Sequence, residues 1–240
     1  QHSGQALSLA SLQFHGVQLH VQFADLNDCI VTSGSDVVVK NAATACCLTA
    51  SDLKASLECT YVFLENAERE RFATTHFEVL LTQHQALYYQ ANNSSVRIQL
   101  NFNHPVIELM WAIRRSCHER CNNHFNFSGI DGRDPLKSAS LYLNNQSRFG
   151  EKPALYLRAV QPYQHHTNKP DAYIYVFSFA LHPEDASPSG TCNMSRIDHV
   201  DLNLELQDGL GKEQCTIMVH ARSFNILRYR EGLAGLAFAN

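Results

Sequence analysis

The chain has little charge, few helix signals and no long apolar run. Charged residues fill 18% of its 240 positions against 45% hydrophobic, which excludes a disordered polyelectrolyte and suits a packed globular chain. The formal net charge is −4. No global basic field advertises nucleic-acid binding, so direct contact with nucleic acid is not expected. No uninterrupted apolar stretch reaches the roughly 18–20 residues of a membrane-spanning helix. The opening Gln1-His-Ser-Gly-Gln5 has neither the cationic start nor the apolar stretch of a secretion leader. The sequence begins without Met, as expected of a processed chain or a piece of a longer one. A P-loop, G-x-G-x-x-G, H-E-x-x-H and a nucleophile elbow are all missing, which removes the common phosphate-binding, metalloprotease and hydrolase readings. There is no internal repeat.

What is present is alternation. The length allows one large or two small domains. Val17, Leu19, Val21 and Phe23 alternate with polar residues, and Ala6–Leu12, Val37–Val39 and Ser56–Leu64 also read as strands. Glu65–Phe72 is the one segment that reads as helix, with Asn66 as cap, Glu68 in the first turn and a Glu65–Arg69 pair at i+4. It also marks the best domain boundary, because three or four strands before it are too few to close a sandwich. Beyond it, strands are predicted at His76–Leu81, Tyr88–Tyr89, Val96–Phe102, Ile107–Ile113, Ser140–Leu143, Ala154–Val160, Tyr173–Leu181, Val200–Leu206, Cys215–His220 and Phe224–Arg228. Ile107, Leu109, Trp111 and Ile113 should share one face. Arg114–Arg133 and Gln161–Asp171 read as long loops. Many short strands, turns between them and almost no helix indicate an all-β jelly-roll sandwich.

Tyr173–Asp198 organises this part of the chain. Tyr173–Leu181 is apolar on both faces, so a central strand covered on both sides is expected. Pro183, Pro188 and the Ser187-Pro-Ser-Gly190 turn then break the ladder, and Gly190 should take a backbone conformation closed to other residues. Val200, Leu202, Leu204 and Leu206 alternate with Asp201, Asn203 and Glu205, the pattern of a strand with one wet face.

Candidate chemistry is sparse. Cys117-His-Glu-Arg-Cys121 with His124 places soft ligands close enough for zinc. However, C-x3-C without a distant second pair is not a finger spacing, and a polar loop with incidental thiols is the plainer account. His165-His166 raises a cupin-like metal or sugar site, but the pair sits in a Pro-flanked loop, where hydrogen bonding or subunit contact is expected instead. Asp131 with Asp134 is a carboxylate pair whose Gly neighbours point first to turn formation. The eight cysteines (Cys29, Cys46, Cys47, Cys59, Cys117, Cys121, Cys192, Cys215) are expected as free thiols, given a chain able to bury a core. Sequons at Asn92, Asn93, Asn126, Asn145 and Asn193 are triplets common by chance. No catalytic or cofactor-binding residue is identified.

The run YVFSFALHPEDASPSGTCNMSRID resembles the C-terminal signature of major capsid proteins of nucleocytoplasmic large DNA viruses. There an aromatic strand leads through a Pro-Ser-Gly turn to Asn-x-Ser-Arg. The resemblance extends to Ser11–His15, Tyr61–Phe72, Asn101–Trp111, Gln161–Thr167, Asn225–Arg228 and Gly235–Asn240, in family order. It implies a double jelly roll, with 1–64 as the last strands of the first roll, 65–75 as a linker helix and 76–240 as the second roll, and therefore a longer protein extending upstream. It also implies a non-enzymatic structural subunit without cofactors. That subunit would form homotrimers that tile with neighbouring capsomers and minor capsid proteins into an icosahedral shell, located in the virion and, during assembly, in the host cytoplasm. A cupin-like metal- or sugar-binding module is the alternative; it should carry stoichiometric metal.

Overall fold

A computed structural model describes residues 6–25, 29, 54–120, 122–210 and 214–238. Among these, Thr82–Phe224 form one compact unit, and the residues before Thr82 join those after Phe224 in another. The strands are β1 (Phe77–Ala91), β2 (Ser95–Gln99), β3 (Pro105–Arg115), β4 (Leu136–Leu143), β5 (Gln146–Pro153), β6 (Ile174–Ser178), β7 (Cys192–Asn193), β8 (Val200–Leu206), β9 (Cys215–Arg230) and β10 (Leu233–Leu236). The α-helices are α1 (Asn66–Thr74), α2 (Ser116–Arg120) and α3 (Gln161–His165). None of the described helices is long and apolar enough to cross a membrane.

One sheet has the order β1-β9-β3-β6, with β7 on β3 and β10 on β9, and the other runs β2-β8-β4-β5. Period-two patterning explains why they face each other. Leu109, Trp111, Ile113, Tyr175, Ile217 and Val219 of the first sheet bury against Val96, Ile98, Leu141, Leu202 and Leu204 of the second in one cluster. The result is the all-β sandwich that the alternation predicts. On β8 the polar side grades outward. Glu205 is exposed, Asn203 half-buried and Asp201 buried, because Arg97 Nη2 sits 2.8 Å from Asp201 Oδ2 and covers it.

Several local expectations give way to tertiary context. β6 lies at the end of its sheet rather than at its centre. It is nonetheless largely buried, and the buried Gln161 side chain of α3 accepts the Ser178 N–H at 3.2 Å. Ala154–Val160 is helical, including a π-helical turn at Tyr156–Val160 that leads directly into α3. Ala154, Leu157, Gln161 and Pro162 are its buried positions, a helical spacing that a β-propensity reading misses. The hairpin β4–β5 was also hidden. Its Asn144-Asn145 turn has φ of 49° and 63° at the two residues, the left-handed pair that a tight hairpin requires and Asn tolerates. The last two predicted strands are one continuous β9. Ile107 departs from the Leu109–Ile113 face. The register shifts between Val106 and Glu108, so Ile107 packs with Ala180 and Phe224 in a separate cluster.

In the other unit, the N-cap of α1 lies one residue earlier than the expected Asn66. Glu65 holds the N-cap position without a side-chain hydrogen bond, and Asn66 is already helical. Phe77 stacks on Tyr229 with centroids 4.6 Å apart, and Phe72 meets Phe77 edge-on at 5.7 Å. Leu9–Ser11 is a 3-10 turn rather than a strand. Val17–Phe23 and Tyr61–Phe63 are without strand pairing among the described residues, and their apolar side chains are exposed. Alternation forms a strand only where a ladder partner exists. The predicted Val37–Val39 strand, with Cys46 and Cys47, lies outside the described residues.

The Pro-Ser-Gly turn behaves as its chemistry demands. Gly190 has φ of 150°, and a Cβ there would lie 2.8 Å from the Phe179 carbonyl oxygen. Gly190→Val is therefore expected to lose about 1–3 kcal/mol through strain and backbone collision. Urea denaturation measures this, and an unchanged midpoint would show that the turn tolerates a side chain.

Candidate functional site

The β3 register shift sets up a concentrated polar arrangement among the described residues. Directly after it, Glu108 stands opposite Arg222 of β9 on one side and Ser178 of β6 on the other. Its side chain is 2% exposed. Glu108 Oε1 lies 3.2 Å from Arg222 Nε, and Oε2 lies 3.0 Å from His166 Nε2. Both distances are those of ion pairs, although the atoms are not aligned as linear hydrogen bonds. His166 Nδ1 reaches Glu184 Oε1 at 3.2 Å, and Thr167 N–H donates to Glu184 Oε2 at 3.1 Å. Arg222 also donates to the Pro183 carbonyl. Two carboxylates and two cations thus balance, provided that His166 is protonated.

Its surroundings favour that state. The close contact with the Glu108 carboxylate raises the His166 pKa above the ordinary imidazole value, burial opposes the rise, and Glu184 adds to it. Glu184 is held below the usual carboxylate range, first by Thr167 and further by His166. His165 turns away and donates to the Leu181 carbonyl at 2.9 Å. The two histidines are therefore parts of one loop-fastening network and do not converge on a common point. Nothing in the cluster is an activated nucleophile. What it does is tie the segment after α3 and the Pro183–Glu184 turn to the β3–β9 ladder. The predicted loop Gln161–Asp171 is thus helical at its start and anchored across β6.

A second network fastens the loop after β3. Asp134 accepts from the Tyr175 hydroxyl and pairs with Arg158 Nε at 3.2 Å, and Tyr173 Oη donates to Gly132 O at 2.7 Å. Burial and the Asp134 hydrogen bond push the Tyr175 hydroxyl strongly upward, so it remains a donor. Asp131 lies apart from this, with φ of 55° in the Ile130–Gly132 turn, so the two carboxylates serve different ends. Arg114–Arg133 contains α2, where Arg114 pairs with Glu119 at 2.9 Å.

Cys121 lies outside the described residues, so the Cys117, Cys121, His124 trio is not described as a set. Among the described residues no group of three His, Cys, Asp or Glu side chains is placed to hold a metal. Cys29, Cys59, Cys117, Cys192 and Cys215 form no disulfide among the described residues. Of the sequon asparagines, Asn126 and Asn193 use their side-chain oxygens locally, accepting from Ser128 N–H and Ser195 N–H. Glu108, Arg222 and Glu184 were not singled out from sequence. The available signal was one carboxylate amid the apolar Pro105-Val-Ile-Glu-Leu-Met-Trp111, which must find a cation when the strand is buried.

The model of the family described as large eukaryotic DNA virus major capsid protein matches residues 68–235. The major capsid protein of Pyramimonas orientalis virus is 35% identical, over 99% of this chain and 58% of its own length. That of Paramecium bursaria Chlorella virus 1 is 29% identical, over 100% of this chain and 64% of its own. The chain spans less than two thirds of these curated relatives. Among solved structures, the PBCV-1 virus capsid model is similar with a TM-score of 0.66 and 29% identity, over 75% of this chain and 56% of that one. The Faustovirus major capsid protein, at 12% identity and a TM-score of 0.61 over 70% of this chain and 36% of its own, shares the fold.

The His166 network carries a pH signature of definite sign. A raised folded-state pKa means that the folded chain holds this proton more tightly than the unfolded one. The stabilisation is complete below the free value of about 6.5 and fades as pH rises through the folded pKa. Unfolding free energy measured from about pH 6 to 9 should decline across that upper limb, and His166→Gln should flatten the decline. An unaltered slope in His166→Gln would exclude His166 as its source.

Proposed function

The chain belongs to the large eukaryotic DNA virus major capsid protein family, and from that premise we propose that it serves as a structural shell subunit. In this reading the complete protein forms homotrimers, which pack as pseudo-hexagonal capsomers of an icosahedral capsid. The observation that carries it is the family match over residues 68–235, laid on a two-sheet sandwich whose core draws on both sheets. Residues 76–240 are then the second jelly roll, 65–75 a linker helix and 1–64 the last strands of the first. The sandwich core described above falls within that second span. Neighbouring capsomers and minor capsid proteins are the partners, without direct contact to nucleic acid. The virion shell is the destination, reached from the host cytoplasm, and no catalytic step is assigned.

Physical features support such a role. The ion-pair networks at Glu108 and Asp134 fasten long connections to the sheets, so segments outside the ladder can present fixed shapes to neighbours. Three-fold closure makes each contact heterologous, with one patch fitting a different patch on the next copy. Light scattering on the complete protein tests the proposal. A mass of three chains at micromolar concentration is the expected result. A folded monomer under those conditions, with any assembly chaperone supplied, would overturn it.

A further inference from the structure

His84 of β1 and His220 of β9 meet on neighbouring strands, within the Thr82–Phe224 unit. Their Nε2 and Nδ1 atoms are 2.9 Å apart. The ring centroids are 4.9 Å apart and the planes differ by 24°. The nitrogen contact is a hydrogen bond between the two rings, one nitrogen donating and the other accepting. Tyr88 meets His220 edge-on at 6.1 Å. Met110 of β3 stands opposite His220. Further along the same face of β9 is Arg222, already paired with Glu108. Burial and the neighbouring His84 both lower the His220 pKa, which favours a neutral ring. His84 is exposed, so the site is open to solvent. This pair is separate from the Glu108 network and from the Cys117 loop.

The geometry points to a two-imidazole chelate for a divalent transition-metal cation, formed when the cation replaces the bridging proton. The 2.9 Å separation is that of the present hydrogen bond, and two nitrogen ligands held about 2.0–2.1 Å from one cation stand about 2.9–3.3 Å apart, so the pair needs little translation to share a divalent ion. Both rings must be neutral, and each must turn about χ2 so that its nitrogen leaves the hydrogen bond and its lone pair meets the other's at a common point, with water completing the shell. A cation held there would cross-link β1 to β9 and stabilise the folded state by mass action.

Calorimetric titration of NiCl2 into the untagged 240-residue chain is the test. One ion per chain is expected at this site, with an accompanying rise in melting temperature. His84→Gln and His220→Gln should each weaken it at least about tenfold and remove the thermal shift. Tyr88→Phe should leave both intact, controlling for the fold. Affinity should fall between about pH 7.5 and 5.5 as protons compete. Nickel binding of unchanged affinity in both Gln variants, or no binding to the parent chain, would overturn the assignment.

Discussion

A carboxylate that is 2% exposed cannot remain charged inside a sheet without cations at hand, and Glu108 imposes this requirement on three separate parts of the chain. Arg222 answers it from the neighbouring strand and His166 from the segment after α3, while Glu184 balances the second cation from the turn after β6. Removing one partner of such a pair typically costs about 3–5 kcal/mol, because the remaining charge is stranded. The cluster therefore specifies more than it stabilises. An apolar residue at 108 would fill the space without fixing where the two connecting segments lie.

The register shift beside Glu108 shows how local irregularity becomes useful. One displaced residue sends Ile107 to a separate small cluster with Ala180 and Phe224. It also leaves Val106 in the main core together with Leu109. A bulge of this kind re-aims side chains at the end of a ladder. Here it permits a charged group and an apolar residue to occupy adjacent positions near a sheet end, each with suitable partners.

Much of the sandwich was legible because period-two alternation is a direct record of a two-faced environment. Val200–Leu206 is the clearest case, and the Gly190 turn followed from proline and glycine chemistry alone. The rest depended on partners that a linear reading does not contain. Tyr173–Leu181 looked central because both its faces are apolar, yet half of its cover is helix rather than strand. The segment 154–160 has the residues of a strand, but its buried positions recur at helical spacing once β6 is beside it. Val17–Phe23 has alternation but no ladder partner among the described residues. The ionic cluster was hardest to foresee, since Glu108, His166, Glu184 and Arg222 are far apart in sequence and only the pairing of β3 with β6 and β9 brings them together. Of the candidate site, the His165-His166 loop was legible as a place of hydrogen bonding, and the lone charged residue in an apolar strand was the one further signal.

The end position of β6 has a further consequence. A terminal strand normally leaves a row of peptide groups able to recruit any extended segment that passes. At this strand Gln161 occupies the Ser178 N–H, and the helical stretch from Ala154 to His165 packs beside it. The helix acts there as a cap on the sheet, closing this edge to further strand pairing and leaving only side-chain surfaces to meet a neighbour.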